Sequence, residues 1–431
     1  MLKQIVFIIV LLITLGIFSY TLRNLILLFK QTKPFPIKDF GKRFLMMLKI
    51  AIGQTKIFRK PVTGLMHALV FWGFCVITIG SLEMVIDGIS GSERIFSFIG
   101  IFYNFIMASD DIFAFIILIM ILLFIGRRLF LNIKRFTGIE MSHKNHIDAY
   151  IALSMIMLLM VSLLGMNTFY LGSGNEIKGF YPVSSIFASF FSNINNNTQY
   201  ILYEFFWWMH ILLIFAFANM LPYSKHFHVF LSVPNVFLSR LEPLGKLYNM
   251  ENVAKEVKLM MNPETAFTAS DSNTVPERFG VKDVEDVTWK NYFDALCCTQ
   301  CGRCTDVCPA NITGKKLSPR KLMMDLRARM NEKGSGLIKN GKEFNDNKSL
   351  IKDYFTSEEI WACTTCNACA NECPVNINHP SLIIDMRRYL VMEESSAPSG
   401  IKAAITNVEN NGAPWQYSPE DRLLWTKEIN L

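Results

Sequence analysis

CTQCGRCTDVCP at residues 298–309 and CTTCNACANECP at residues 363–374 decide how this chain is read. Each run is C-x2-C-x2-C-x3-C-P, and together they hold eight of the ten cysteines. Three cysteines spaced two residues apart can wrap one face of a compact solid, with backbone amides directed at the sulfurs. The proline after the fourth cysteine stops the turn by fixing φ and removing a donor. This is the spacing of a [4Fe–4S] site. Zinc also takes four thiolates, but its sites usually pair two distant C-x2-C elements. Disulfides are disfavoured in a reducing cytosol.

The copies match beyond the cysteines. Cys298-Thr299 recurs as Cys363-Thr364, and Asn311-Ile312 as Asn376-Ile377. Asp325-Leu326-Arg327 resembles Asp385-Met386-Arg387, on a helix expected after each motif. This is an internal duplication. In two-cluster ferredoxins the fourth cysteine of each run serves the other cluster. The expected sets are therefore Cys298, Cys301, Cys304 and Cys373 for one cluster, and Cys308, Cys363, Cys366 and Cys369 for the other. Cys297 is a spare thiol and Cys75 a packing residue in an apolar helix. Glu332 to Asn347, rich in Gly, Lys and Asn, reads as a solvated loop between the copies.

Apolar residues concentrate before residue 231. About 20 residues cross a bilayer, and five segments suffice: Ile5–Phe29, Val62–Met84, Asp111–Phe130, Ala149–Tyr170 and Tyr200–Leu221. The third is weakest, its uncharged run covering only Ile112–Gly126. The first is too long for a signal-peptide core and lacks a small-residue cleavage site. Lys and Arg crowd the loops between spans one and two (Lys30 to Lys60) and between three and four (Arg127 to Lys144). The positive-inside rule then puts the N-terminus outside and the cysteines in the cytoplasm, in an inner-membrane, multi-pass protein. Topology accounts for the formal net charge of +7, so nucleic-acid binding is not needed. Phe40–Lys60 is amphipathic and basic, suited to lie along the headgroups.

Histidines inside apolar helices are costly and usually functional. His67 falls near the cytoplasmic end of span two and His210 in the middle of span five. His228 follows eighteen residues later, which is five turns of a continuous helix, so the two would share a face. His226 would point away from His228, and His143 and His146 would precede span four. A bis-His pair from facing helices is the simplest haem b site. Glu83 and Glu204, near the outer ends of spans two and five, are candidates for proton relay. The alternative for both is a carboxylate at headgroup level.

Here the chain resembles known families. The segment from Gly53-Gln54 to Gly80, with GLMHALVFWGF, and that from His210 to Pro234, with LPYSKHFHVFLSVP, are similar to the gamma subunit of respiratory nitrate reductase. That subunit is a five-helix cytochrome b with two haems and a quinol site. The resemblance implies His67 and His228 on the haem nearer the cytoplasm and His210 on the outer one. The family's second helix-two histidine falls at Ile77, so one haem b is implied, and two only if another residue supplies the missing ligand. The tail, with CTQCGRCTDVCPANITGKKLSPRKLMMDLR and CPVNINHPSLIIDMRRYLVMEE, resembles the two-cluster subunit of heterodisulfide reductase. It is closer still to membrane-bound iron–sulfur oxidoreductases that fuse the two modules. Some of these carry cysteine-rich CCG domains and pass electrons from electron-transfer flavoprotein to menaquinone. This chain stops about where those domains would begin, which implies a separate CCG-domain partner.

The expected fold is an all-α membrane bundle of five transmembrane helices plus a mainly α-helical dicluster ferredoxin-like domain. Its divisions are a cytochrome b-like part at 1–230, a linker at 231–290, the ferredoxin-like part at 291–392 and a tail at 393–431. A helix is expected at Met250–Met261 and a flexible link at Ala269–Thr274. The tail either docks a partner or is loose. The expected activity is that of an oxidoreductase subunit carrying electrons between a soluble partner and membrane quinone, the substrate. The competing reading is a membrane anchor without quinone turnover. There is no P-loop, no G-x-G-x-x-G fingerprint after a strand and no Ser-His-Asp order, so nothing points to NAD or flavin held by this chain.

Overall fold

The computed structural model describes residues 1–262, 278–341 and 344–429. The link expected at Ala269–Thr274 lies outside the described residues.

Eight helices build the first half: α1 (Leu2–Phe29), α2 (Phe40–Met47), α3 (Pro61–Ser90), α4 (Ile101–Phe130), α5 (His143–Tyr170), α6 (Pro182–Phe190), α7 (Asn196–Met220) and α8 (His228–Phe237). Five stretches among the described residues are long and apolar enough to cross a membrane: α1, α3, α4, α5 and Asn196–Tyr223. Their outward faces keep large apolar side chains exposed, such as Ile9, Leu12 and Ile13 of α1. Only a lipid surround makes that many exposed apolar groups favourable. Inward, the helices close on small residues, as membrane packing favours. Gly73 sits against Phe113 and Ile117, Gly88 against Phe7, and Gly165 against Phe206. Phe7 packs onto Trp207, Trp208 and Phe215, with ring centres 5.8, 6.5 and 6.0 Å away.

Three expectations about helix bounds change in the membrane half. The third span begins at Ile101, ten residues early, and takes Asp110 and Asp111 inside the helix. The helix tolerates Asp111 because the start of α6 supplies donors to it, Val183 N at 2.8 Å and Ser184 N at 2.9 Å. The fifth span is not continuous with His228. The chain breaks into short 3-10 turns at Leu221–Tyr223 and Lys225–Phe227, and His228 opens α8. Pro222, which lacks an N–H, marks the break. His143 and His146 lie in the first turns of α5, not before it.

The second half follows with α9 (Glu251–Met261), α10 (Trp289–Cys297), α11 (Arg303–Asp306), α12 (Pro309–Ile312), α13 (Pro319–Asn340), α14 (Ser357–Ala362), α15 (Ala368–Glu372) and α16 (His379–Met392). Then come α17 (Ser399–Asn411) and α18 (Leu424–Ile429). The duplication is visible in the caps. A capping box of Thr288 with Asn291 opens α10, and Thr356 with Glu359 opens α14. Helices α13 and α16 both carry proline in the first turn. Their inner faces, among them Leu322, Leu326, Met330, Leu382, Ile383 and Met386, are fully buried in one core. Val281, Val284 and Val287 belong to that core as well.

The solvated loop expected from Glu332 is helix as far as Asn340. Its helical glycines, Gly334 and Gly336, are packing residues. A Cβ on Gly334 would collide with Leu28 of α1, so glycine lets α13 approach the bundle. The tail helix α17 buries no residue.

The halves join at one end of the bundle. Leu221 and Phe227 share the core of the cysteine half. Beyond α1, Lys33 N donates to Val287 O at 2.8 Å and Trp289 N to Lys33 O at 2.9 Å. Arg320 of α13 pairs with Glu140 of the α4–α5 loop at 2.7 Å, with both side chains almost fully buried. Arg327, also of α13, donates to the carbonyls of Pro222 and Ser224 at 3.1 and 3.2 Å. From the α2–α3 connection, Arg59 Nη1 reaches Asn371 O at 2.7 Å.

Candidate metal centres

Each cysteine run folds into the same backbone shape. The second residue after the first cysteine is left-handed in both (Gln300, φ 54°; Thr365, φ 55°), as is the residue after the second cysteine (Gly302, φ 75°; Asn367, φ 61°). Successive turns of this kind aim amides inward as an anion-binding nest. In the second run Thr365 N lies 3.4 Å from Cys363 Sγ. Helices α11 and α15 then carry Cys304 and Cys369.

Two cavities result. One is lined by Cys298, Cys301, Cys304 and Cys373, with Gly302, Arg320 and His379. The other is lined by Cys308, Cys363, Cys366 and Cys369, with Leu317, Pro319 and Ile383. All ten cysteines are free thiols. Among the described residues no three His, Cys, Asp or Glu side chains converge tightly enough for a single metal ion. The four sulfurs of each set ring a space of the kind a compact multi-iron group needs. Burial pushes the Cys298 thiol up to about 11 and the Cys373 thiol up to about 12. Ligand thiolates therefore need a strongly positive group in the cavity to hold them deprotonated.

Cys297 is fully buried beside the first cavity and does not line it. Cys75 is exposed on the outside of α3, not packed as expected.

Below the cysteine half, His67 of α3 and His228 of α8 face each other. Their ring centres are 6.5 Å apart and the planes 29° from parallel. A metal lies about 2 Å from an imidazole nitrogen, so two rings with centres 6.5 Å apart are close enough to share one metal. The Nδ1 of His228 donates to Lys225 O at 3.2 Å, which leaves its Nε2 lone pair free to ligate. His67 Nδ1 is buried with no hydrogen-bond partner. His226 was expected to point away, yet its ring centre is 5.9 Å from that of His228. The 3-10 turn rotates it there, against Ser224 Oγ and 3.9 Å from Asp148.

His210 is fully buried in α7. Its Nδ1 contacts Leu159 O at 3.0 Å and Ser162 Oγ at 2.9 Å, and its Nε2 has no partner. Ile77, where the resemblance would put a second histidine, is buried apolar core.

Of the two relay candidates, Glu204 is bound to Lys3 at 2.6 Å. Glu83 is turned into the bundle. It is 1 % exposed and joined to Tyr103, Phe96 N and Arg94.

Residues 297–377 match the family described as 4Fe-4S dicluster domain. Over 427 residues the chain is 30 % identical to the "Probable iron-sulfur-binding oxidoreductase FadF" of Bacillus subtilis, covering 91 % of this chain and 56 % of that protein. The chain is related to iron–sulfur oxidoreductases. It is 28 % identical to the "EtfAB:quinone oxidoreductase" of Syntrophomonas wolfei, covering 88 % of this chain and 53 % of that one. It is 33 % identical to a "Probable membrane-anchored ferredoxin" of Chromohalobacter salexigens over 39 % of this chain and 27 % of that one. The chain thus spans about half the length of the first two relatives. No solved structure matches it.

Residues the sequence reading passed over are Arg320, Arg327 and His379 at the first cavity and its interface, and Asp110 and Arg94 in the bundle. His379, six residues past Cys373, carried a signal in NINHP. Arg320 carried none, because its partners lie in the other half, and Arg94 none, because Glu83 and Asn167 belong to other helices.

Proposed function

We propose that this chain is a membrane electron-transfer subunit linking a soluble redox partner to membrane quinone. Cys298, Cys301, Cys304 and Cys373 hold one [4Fe–4S] cluster, and Cys308, Cys363, Cys366 and Cys369 the other. His67 and His228 hold one haem b, with His210 a ligand only if a second is present. Bound there, these groups would supply one-electron redox steps. The observation that carries the reading is adjacency: the cavity ringed by Cys298, Cys301, Cys304 and Cys373 meets the end of the bundle that bears His67, with Lys56 Nζ, just before α3, reaching Cys373 O at 3.3 Å.

The residues of the chain do the positioning. Arg327 ties α13 to the turn that bears His228, and Arg320 ties the first cavity to the α4–α5 loop. Every basic loop contacting the cysteine half is on this one end, so the positive-inside rule supports a cytoplasmic cysteine half and an outside N-terminus. The soluble partner is a CCG-domain iron–sulfur protein, with electron-transfer flavoprotein beyond it. For the flavoprotein and the quinone, support comes from the relative whose name joins EtfAB to quinone.

The test is purified protein. About eight non-haem iron and eight acid-labile sulfide per chain are expected, with b-type absorbance on reduction and haem reduction by a quinol analogue. Absence of b-type absorbance, or half that iron, defeats the assignment.

A further inference from the structure

The half of the bundle remote from the cysteines holds a buried polar cluster. Glu83 of α3, Arg94 of the following loop, Asp110 and Asp111 of α4 and Asn167 of α5 are all at least nine-tenths buried. Charged groups inside a membrane span are costly and mark function unless structure explains them.

Structure explains all but one. Asp111 accepts from the first amides of α6 and from Ser184 Oγ at 2.5 Å, fixing that helix. Glu83 accepts from Phe96 N at 2.8 Å and Tyr103 OH at 2.9 Å. Arg94 lies 4.0 Å from Glu83 and donates to Asn167 Oδ1 at 3.1 Å. Asp110 is different. It is 4 % exposed, and its Oδ1 has no hydrogen-bond partner. The carboxyl is aimed across the helix interface at Gly80, where an added Cβ would lie 3.2 Å from Oδ1. A structural acid at this depth would be hydrogen-bonded, and an apolar residue would be cheaper. Arg94, Glu83 and Asp111 are the charged groups around it.

We propose that Asp110 is the carboxyl group that exchanges protons with membrane quinone, in a site between α3 and α4 remote from the cysteines. The proposal rests on the quinone-linked reading above. Reducing one quinone takes two electrons, which arrive from the cysteine end, and two protons. For each proton the Asp110 O–H bond breaks and an O–H bond forms on a quinone oxygen. The Arg94 guanidinium balances the carboxylate left behind until a proton from the nearby bundle end restores it. Quinol oxidation runs the same transfers in reverse.

The test uses the full chain in detergent with a short-chain naphthoquinol, following haem reduction by stopped flow. Asp110→Asn keeps the shape and cannot exchange a proton. It should slow haem reduction about 100-fold or more, while dithionite-reduced spectra and iron content stay unchanged. A deuterium-sensitive carboxyl band in redox-difference infrared spectra should vanish in Asp110→Asn and persist in Glu83→Gln. Gly80→Ala, which crowds the carboxyl without removing it, should slow the same step and stands in if Asp110→Asn does not fold. A wild-type rate in Asp110→Asn, or a surviving infrared band, overturns the proposal. A wild-type protein that naphthoquinol does not reduce defeats the quinone reading itself.

Discussion

Replacing Glu140 with alanine should loosen the joint between the two halves. Arg320 and Glu140 are 2.7 Å apart, with side chains only 2 % and 5 % exposed. Without its partner, the guanidinium stays buried with two carbonyls, Arg135 O at 2.6 Å and Thr137 O at 2.9 Å. Breaking a buried pair from one side costs about 3–5 kcal/mol. The two carbonyls hold the loss near the lower end. Ser318 Oγ also loses its 2.7 Å acceptor, a further ~1 kcal/mol. A total of about 4 kcal/mol should lower the melting of the cysteine half by roughly 8–16 °C. The measurement is loss of iron–sulfur absorbance on heating in detergent. Glu140→Leu combined with Arg320→Met should recover most of the loss, since an apolar pair leaves no charge stranded. A single-variant loss below ~1 kcal/mol, or a double variant no better than the single, would refute the reasoning. The pair also sets a pH dependence. Burial alone would raise the Glu140 carboxyl, but Arg320 and the Ser318 hydroxyl hold it below its ordinary value. Its stabilisation is therefore full above the unfolded value of about 4.3 and fades as pH falls through the lower folded value. Wild type and Glu140→Ala should converge in acid.

Three further outcomes follow from the geometry. Cys373→Ser should disturb the centre ringed by Cys298, Cys301 and Cys304 and spare the one in its own run; electron paramagnetic resonance would show which signal is lost. Gly334→Leu should cost about 1–3 kcal/mol of docking stability through overpacking against Leu28, with Gly336→Ala a comparison crowding only Phe344. Asp346, held at about 2 by hydrogen bonds from Arg329, stabilises the fold above its unfolded value near 3.9. That contribution should drain between about pH 4 and 2, and acid titration of Asp346→Asn should show a shallower fall.

Much of this architecture is legible in the chain. Five apolar runs are visible because lipid demands long uncharged stretches. The duplicated cysteine spacing is visible because a cluster demands it locally. The first residue of α4 was not legible, since the donors that satisfy Asp111 come from α6, seventy residues on. Glycine in α13 read as loop because its reason is Leu28, a residue of another helix. His210 and His228 were read on one helix because eighteen residues fit five turns, and Pro222 broke the premise.

The amino-acid order by itself determined the membrane half, the two cysteine runs and the intramembrane histidines, since each is a short-range pattern of residue type and spacing. The exchange of fourth cysteines between runs entered only through resemblance to ferredoxins, and the folded chain is what groups them around two cavities. Tertiary structure alone decided that α13 lies across the bundle end with Arg320 and Arg327 reaching into it. It alone separated the hydrogen-bonded acids from Asp110. Such facts depend on which distant groups meet, and a buried charge takes its meaning from the partners it meets or lacks.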